Sequence, residues 1–343
     1  MTSFTPRPFI IPVFLPNAGC PHQCAFCNQK TITGITSDVP SSEELHKVIN
    51  EYLSHKGKNR GETYIAFYGG NFMGLNPEQM EILLSEASKY VKDGQATGIR
   101  MSTRPDTITD VTLAAIEGYP VSTIELGVQS MNDAVLKASM RGHRASDTIE
   151  AVHRLKEAGY EIGLQMMVGL PEDNEATSIE TARAIADLSP DFIRIYPTVV
   201  LKNSLLARWY NQGIYKPMDL DPCVTLVKEI YLLFKEKNIR VIRMGLQETE
   251  DLVKDSSILA GPYHPAFGHM VYSEIFLDAA VALIESEGIL GDSVIIKVAP
   301  ENISMMRGLK NKNVEILKNR FNLKLIKIVP DSSMKGEQLA IVC

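Results

Sequence analysis

The chain has few of the features that mark secreted, membrane-spanning or globally basic proteins. Its 343 residues include five cysteines and one tryptophan, and no apolar run approaches the roughly 20 residues that a membrane span needs. No N-terminal targeting segment is seen, so we expect a cytoplasmic protein with free thiols and no membrane partner. The net charge of −6 excludes a globally basic surface, and any nucleic-acid-binding patch must be local.

Three of the five cysteines, Cys20, Cys24 and Cys27, lie within eight residues in a C-x3-C-x2-C array. The apolar run at residues 9–15 precedes them and ends in Pro-Asn-Ala-Gly, which places the thiols on a loop leaving a buried strand. Three thiolates do not complete a tetrahedral zinc site. They can, however, hold three corners of a four-iron cluster and leave one iron open to a ligand.

Other uses of three neighbouring thiols stay open at this point. Disulfides are disfavoured, because three thiols cannot pair evenly and no secretory signal is seen. A zinc site needs a fourth ligand, which His22 or a distant residue could supply. Simple burial in a polar loop is a further alternative. We interpret the other two cysteines, Cys223 and Cys343, as plain thiols.

Apolar strand candidates alternate with amphipathic helix candidates along the first 200 residues. The predicted strands are residues 10–15, 63–68, 98–102, 121–128, 161–168 and 192–197. The predicted helices are residues 42–53, 77–91, 107–117, 132–139, 145–158 and 174–188. Six βα units in sequence predict an α/β fold, a partial (β/α)6 TIM-type barrel with helices outside. Active sites of such barrels lie at the C-terminal ends of the strands.

After about residue 200 the alternation weakens, and residues 203–221 are predicted to be a connection. A helix over 222–237 and a strand over 239–244 are predicted to extend the barrel. A compositional break at 288–292 begins a small module. The predicted domains are a partial barrel at 1–240, a barrel-closing or substrate segment at 241–290, and a small C-terminal α+β module at 291–343.

The cysteine array resembles the signature of the radical S-adenosylmethionine (SAM) superfamily. In that family an aromatic residue normally precedes the third cysteine, and here it is Phe26. The resemblance implies that Cys20, Cys24 and Cys27 hold a [4Fe-4S] cluster. It also implies that the open iron is chelated by the amino and carboxylate groups of SAM.

The turn after the second strand, Gly69-Gly70-Asn71, is similar to the element of this family that binds the amino group of SAM. Glycines at a strand end let the backbone approach a ligand closely. The family often has Glu or Thr after the two glycines, and Asn71 still offers a carbonyl acceptor there. A tight turn with no ligand is the alternative interpretation of the two glycines.

Three further stretches resemble oxygen-independent coproporphyrinogen oxidases and, more specifically, the Elongator-subunit-3-like branch without its acetyltransferase domain. They are S-T-R-P-D ending the third strand, E-L-G-V-Q-S in the fourth strand with R-G-H beyond it, and the fifth strand. Alternation along the fourth strand directs Glu125, Gly127 and Gln129 into the barrel. The residues in SAM-contact positions by resemblance are Ser102, Gln129, Arg141 and Gln165, with Arg141 on the methionine carboxylate.

The C-terminal module resembles a KH-type RNA-binding core, in which a Gly-x-x-Gly loop joins two helices and clamps the nucleic-acid backbone. Asn311 stands where the second glycine is expected, and Asn tolerates left-handed backbone geometry. Residues 307–327 contain seven Lys or Arg and one acidic residue. Arg307, Lys310 and Lys312 are therefore RNA-binding candidates. A solvated amphipathic helix is the alternative.

These resemblances imply a radical SAM enzyme. A one-electron donor of flavodoxin or ferredoxin type would reduce the cluster, and a 5′-deoxyadenosyl radical from SAM would abstract hydrogen from the substrate. The first hypothesis for the substrate is a transfer RNA base; a small molecule such as a tetrapyrrole is an alternative, and a non-catalytic zinc-binding adaptor is another. His264 and His269, with Glu274, are predicted to line the barrel mouth as proton-transfer candidates.

Overall fold

The computed structural model describes residues 8–29, 33, 39–56, 61–246, 257–288 and 291–342. Its strands are β1 (Phe9–Phe14), β2 (Thr63–Tyr68), β3 (Gly98–Thr103), β4 (Val121–Gln129), β5 (Glu161–Val168), β6 (Phe192–Pro197), β7 (Val200–Leu201), β8 (Arg240–Met244), β9 (Ile258–Ala260), β10 (Ser293–Val298), β11 (Leu325–Pro330) and β12 (Leu339–Val342). Its α-helices are α1 (Ser42–Lys56), α2 (Pro77–Lys92), α3 (Asp110–Ile116), α4 (Asp133–Ala138), α5 (Ala145–Glu157), α6 (Glu175–Asp187), α7 (Leu205–Asn211), α8 (Leu220–Glu236), α9 (Phe267–Glu287), α10 (Ile303–Arg307) and α11 (Lys312–Phe321).

Seven parallel strands form one curled sheet in the order β1-β2-β3-β4-β5-β6-β8, with helices on its outer side. This arrangement confirms the predicted partial barrel, and the ends of the seven predicted barrel strands and of their helices agree to within three residues. One of the three-residue shifts is at the start of α3, which begins at Asp110. Thr109 and Thr112 close a capping box there, which fixes the first turn three residues later than periodicity suggested.

The two faces of the sheet differ in polarity. Alternate residues such as Ile65, Phe67 and Leu126 are fully buried against the helices and form the main core. The inner face instead carries polar side chains, including Glu125 and Gln165. The inner face of a closed barrel is filled by apolar side chains, so a polar inner face indicates a surface kept for a ligand.

One part of the predicted organisation needs revision. The connection predicted at 203–221 is wrong in its first half, where α7 forms with Ser204 as its N-cap. Residue 240, the predicted end of the first domain, is the first residue of β8, which pairs with β6 in the barrel sheet. The three domain ranges stay a prediction.

The C-terminal module is a three-stranded sheet in the order β11-β10-β12 with α10 and α11 packed on it. Helix α9 joins it to the barrel. By length and composition alone α9 could cross a membrane, but its apolar residues serve two cores. Val271 and Ile275 pack in the barrel core, whereas Ala280 and Ile284 pack in the core of the module. A helix that fills two cores is apolar on most of its surface.

Asn71 holds the cysteine-bearing loop against the sheet. Its side chain is fully buried, and its Nδ2 donates to the carbonyl oxygen of Gly19 at 2.7 Å. Its Oδ1 accepts from Thr103 Oγ1 at 2.6 Å, Arg104 N at 3.0 Å and Thr107 Oγ1 at 2.9 Å. One amide therefore joins the loop after β1, the turn after β2 and the end of β3.

Glycines make this close packing possible. A Cβ on Gly70 would lie 2.3 Å from the carbonyl oxygen of Leu15, and one on Gly74 would lie 2.2 Å from Asn71 Nδ2. Gly19 has a φ of +68°, and its Cβ would lie 2.2 Å from the carbonyl oxygen of Asn71. No side chain fits at these three positions, because each faces the backbone or side chain of a neighbouring segment.

We expect Asn71→Ala to lower the free energy of unfolding by about 3 kcal/mol, because one carbonyl and three donors lose their shared partner in a site closed to water. Urea denaturation followed by circular dichroism measures this loss. Asn76→Ala, which removes an exposed N-cap of α2, is the control and should cost about 1 kcal/mol. An Asn71→Ala loss no larger than that of the control contradicts the role assigned to Asn71.

Candidate cluster and cofactor site

The three cysteines lie on the loop that follows β1, at the C-terminal edge of the sheet. Cys24 is buried, and Cys20 and Cys27 are half-buried. Backbone hydrogen bonds shape the loop, from Cys20 N to Asn17 O at 3.1 Å and from Cys27 N to Cys24 O at 3.0 Å. The thiols are thus held within a structured loop that reaches the protein surface.

Helix α7 and the strand pair β7–β9 cover one side of this loop. The amide of Leu206 donates to the carbonyl of Ala25 at 2.8 Å, and Phe26 packs in a small apolar cluster with Trp209 and Ala260. The sequence analysis did not predict that α7 and the β7–β9 pair cover the loop. Ser204, a helix N-cap followed by the apolar residues of α7, was the sequence feature that could have indicated this helix. The covering elements hold Phe26 next to the third cysteine.

Arg141 is a cation in direct contact with one of the three thiols, Cys24. Its Nη1 donates to Cys24 Sγ at 3.4 Å and its Nη2 to Gly127 O at 2.6 Å. Its Nε is buried and has no hydrogen-bond partner among the described residues. The guanidinium is therefore held by hydrogen bonds from Nη1 and Nη2, and its Nε remains able to donate to a ligand.

The protonation of the thiols depends on what they bind. Burial and the neighbouring thiols Cys24 and Cys20 raise the pKa of Cys27 to about 12. Burial also raises the pKa of Cys20, although Arg141 opposes this rise. Metal ligation requires the thiolate, and a bound metal centre supplies the positive charge that makes it stable. The loop is therefore suited to bind a positively charged metal centre, which would stabilise the thiolates more than the nearby protein cations do.

The described residues form no site for a single metal ion. In the described ranges no group of three or more His, Cys, Asp or Glu side chains is arranged to hold one metal ion. His22, one candidate for the fourth ligand of a zinc site, is exposed and lies over Gly142, where an added Cβ would be 2.2 Å from the His22 ring. In a four-iron cluster each thiolate binds a different iron, so three separated thiols fit a cluster better than zinc.

A β-bulge brings the predicted SAM contacts together. The register between β4 and β5 shifts between Gly127 and Gln129, and Gln129 has a φ of +67°, which is unusual for a residue with a side chain. Gln165 Nε2 donates to Gln129 Oε1 at 3.4 Å. A Cβ on Gly127 would lie 2.9 Å from both Arg141 Nη2 and Gln129 Nε2. Backbone strain of this kind concentrates at functional sites.

The three residues of the turn after β2, Gly69, Gly70 and Asn71, differ in how accessible they are to a ligand. Gly69, with a φ of +88°, is the more open glycine, because a Cβ there would meet nothing closer than 3.5 Å. Gly70 faces the cysteine loop instead, and the side-chain oxygen of Asn71 is already taken by three donors. Ser102 is half-buried on the inner face. The SAM contacts predicted for these four residues stay a prediction. Asn71 could make its contact only with the one hydrogen of its Nδ2 that is not bonded to Gly19.

His143, His264 and His269 lie on three different segments of the chain. His143 is buried; burial and the charges of Arg141 and Arg104 lower its pKa to about 3, so it is neutral. His264 lies on the loop that crosses the end of β6, where its Nδ1 accepts from Ala266 N at 3.0 Å. His269 lies near Ser304 of α10, and burial lowers its pKa.

His269 lies in the first turn of α9, and Glu274, further along the same helix, pairs with Lys228 of α8 at 3.3 Å. The catalytic roles of His264 and His269 stay predictions. Cys223 is fully buried in the barrel core, which raises its pKa to about 12, and Cys343 lies outside the described residues.

Sequence reasoning directed Glu125 into the barrel but missed its partners. Tyr68 donates its hydroxyl to Glu125 Oε1 at 2.8 Å, and burial together with this carboxylate raises the pKa of Tyr68. Arg194 Nε lies 2.7 Å from Glu125 Oε2, and Arg100 Nη2 lies 3.5 Å from Oε1. Arginines at inward positions of β3 and β6 were the signal available in the sequence.

Two family models match most of this chain. The model of the radical SAM superfamily matches residues 14–185, and that of the radical SAM C-terminal domain matches residues 190–276. An uncharacterized protein of Methanocaldococcus jannaschii is 29% identical over 266 residues, which are 74% of this chain and 80% of that protein. The tRNA uridine(34) acetyltransferase of Dehalococcoides mccartyi is 25% identical over 246 residues, 62% of this chain and 54% of that enzyme.

Among solved structures, the archaeal Methanocaldococcus infernus Elp3 with an N-terminal deletion superposes with a TM-score of 0.59 and 20% identity, over 83% of this chain and 64% of that one. This likeness shows the same partial-barrel fold. The chain spans about half the length of the curated acetyltransferase and about two thirds of the solved Elp3 chain. With half of its length matched by the superfamily model, the chain belongs to the radical SAM superfamily of enzymes.

Proposed function

We propose that this protein holds a [4Fe-4S] cluster and SAM at the C-terminal edge of the partial barrel and uses them to modify a base of transfer RNA. The observation that carries the proposal is the meeting of three thiols, Arg141 and the Gln129–Gln165 pair around Gly127. Action in the cytoplasm with a flavodoxin- or ferredoxin-type electron donor is part of the same proposal.

Each part of the site has a distinct task in this proposal. Cys20, Cys24 and Cys27 would ligate three irons and leave the fourth open. The Arg141 guanidinium would hold the carboxylate of SAM, using its unpartnered Nε. Gln129 and Gln165 would bind ribose hydroxyls, and α7 would keep water from one side of the loop. When bound, the cluster and SAM supply the reductive cleavage general to the superfamily, which yields methionine and a 5′-deoxyadenosyl radical.

The C-terminal module supports a nucleic-acid substrate. Arg307, Lys310 and Lys312 are exposed on and beside the loop between α10 and α11. Lys310 and Asn311 have φ values of +53° and +63°, so the chain turns left-handed where the second glycine of a KH loop was expected. Exposed cations on a tight turn between two helices can contact a phosphate backbone.

The position of this loop also supports the proposal. Asn313, just beyond it, donates from Nδ2 to the carbonyl of Ser273 on α9 at 2.8 Å. Phe267, at the start of α9, packs against Gly245 at the end of β8. Ser273 lies six positions after Phe267, about 9 Å further along the helix. The basic loop is thus anchored close to the end of the barrel that carries the thiols.

The names of relatives support a transfer RNA base as the target. One curated relative is named a tRNA uridine(34) acetyltransferase, and the solved relative is an Elp3. The test is anaerobic incubation with SAM, dithionite and total transfer RNA, followed by mass analysis of the nucleosides. A nucleoside whose mass changes only when SAM and reductant are both present supports the proposal, and unchanged nucleosides with continued SAM cleavage contradict the substrate assignment.

After anaerobic reconstitution with iron and sulfide, we expect about four irons per chain. Cys24→Ala should lose most of this iron, because the cluster loses one of three protein ligands. Cys223→Ala, which removes a thiol from the barrel core, is the matched control and should retain it. Full iron content in Cys24→Ala, or native protein that retains zinc and takes up no iron, contradicts the cluster assignment and favours the zinc-binding adaptor.

For RNA binding, we expect Lys310→Glu combined with Lys312→Glu to weaken filter binding of transfer RNA by tenfold or more and to reduce its salt dependence. The control replaces Lys47 and Lys92, exposed on the outer helices α1 and α2, with Glu and so carries the same charge change. Equal affinities for the two variants would remove the assigned role of the module.

A further inference from the structure

The inner face of the barrel carries more positive than negative charge at one buried cluster. We call Tyr68, Arg100, Glu125 and Arg194 the inner cluster. Arg100 and Glu125 are 7% and 5% exposed, and the Arg194 side chain is 15% exposed. Two guanidiniums therefore share one carboxylate in a place with little water.

Glu125 compensates only one of these two charges. It accepts from Tyr68 at 2.8 Å, and its closest ion pair is with Arg194 at 2.7 Å. Arg100 reaches it only at 3.5 Å, and the Nε of Arg100 is buried without a hydrogen-bond partner in the described part of the chain. The rings of Tyr64 and Phe192 lie 5.5 and 5.2 Å from the Arg100 guanidinium, which gives a weaker stabilisation than an anion would.

A second acid on this face, within the part of the chain that the structure describes, does not supply the balance. Glu161, at the start of β5, lies 3.3 Å from Arg240 and accepts from Thr123 Oγ1 at 2.6 Å. It is therefore matched by its own arginine. Burying an uncompensated charge is costly unless a partner is provided, and among the described residues the inner cluster is short of one negative charge.

The inner cluster lies beside the residues proposed to hold SAM. In the register of the sheet, Gly127 pairs with Gln165 and Gln165 pairs with Arg194. Tyr68 directly precedes Gly69 in the turn after β2. A molecule placed against SAM on the inner face would therefore touch Arg194 and Tyr68.

We propose that the inner cluster is an oxyanion-binding site that receives an anionic group of the substrate. The planar guanidiniums of Arg194 and Arg100 would each donate to its oxygens, and the anion would complete the charge balance that Glu125 leaves unfinished. The chemistry is common to a phosphate of a nucleotide and a carboxylate of a small molecule. The site rests on the proposed function only in that the substrate enters by the inner face.

The test is a series of charge variants titrated calorimetrically with inorganic phosphate and, separately, with acetate, at constant ionic strength. Arg194→Gln removes one positive charge and should weaken binding of the preferred anion by about tenfold. Glu125→Gln adds one net positive charge and should tighten it. The double variant Glu125→Gln with Arg194→Gln restores the native net charge and should bind within a fewfold of the native protein.

The control is Arg154→Gln, which removes an arginine paired with Glu150 on the outer face of α5 and should leave anion binding unchanged. Phosphate bound more tightly than acetate identifies a nucleotide source, and the reverse order identifies a carboxylate. Either order, with the predicted charge dependence, supports the site. No binding of either anion, or binding that Arg194→Gln and Glu125→Gln leave unchanged, overturns it.

If Arg194→Gln does not fold, Glu125→Gln and the double variant decide, because a purely structural ion pair predicts no tightening in Glu125→Gln. The titrations need neither transfer RNA nor SAM cleavage. Failure of the anion site is therefore measured separately from failure of the proposed RNA modification.

Discussion

The hydrogen bonds of the Asn71 side chain are the interaction on which the catalytic end of this protein depends. They fix the backbone of the cysteine loop at Gly19 to the end of β3, and the glycines around Asn71 exclude side chains from the contact. The thiols are thereby held over the sheet edge before any cluster binds. A loop fixed in this way loses less conformational entropy when it takes up a cofactor.

Electrostatics then divides this end of the barrel into two zones. Around the thiols, burial favours protonated sulfur, and Arg141 is a cation in direct contact with Cys24; a metal centre is the partner that makes three thiolates stable together. Below, on the inner face, two arginines exceed the one carboxylate between them. This arrangement suits the proposed function, in which SAM is held next to a negatively charged group of the substrate.

Much of this fold follows from hydrophobic patterning. The parallel strands and outer helices were predicted because each strand carries a run of apolar residues and each helix repeats them at helical spacing. Pattern reasoning missed features that depend on contacts distant in sequence. Helix α7 is short and gains its stability by covering Ala25 and Phe26, and the two arginines meet Glu125 only through the register of neighbouring strands. The bulge at Gln129 breaks strand alternation, and no local sequence signal announces it.

The central claim is that an iron left open by three cysteines accepts SAM beside Arg141. The most direct measurement is the electron paramagnetic resonance spectrum of the reconstituted, dithionite-reduced protein before and after addition of SAM. The account predicts a four-iron signal whose g-values shift when SAM is added, because the ligand set of one iron changes. A four-iron signal that saturating SAM leaves unchanged, or no cluster signal in reconstituted protein, would contradict it.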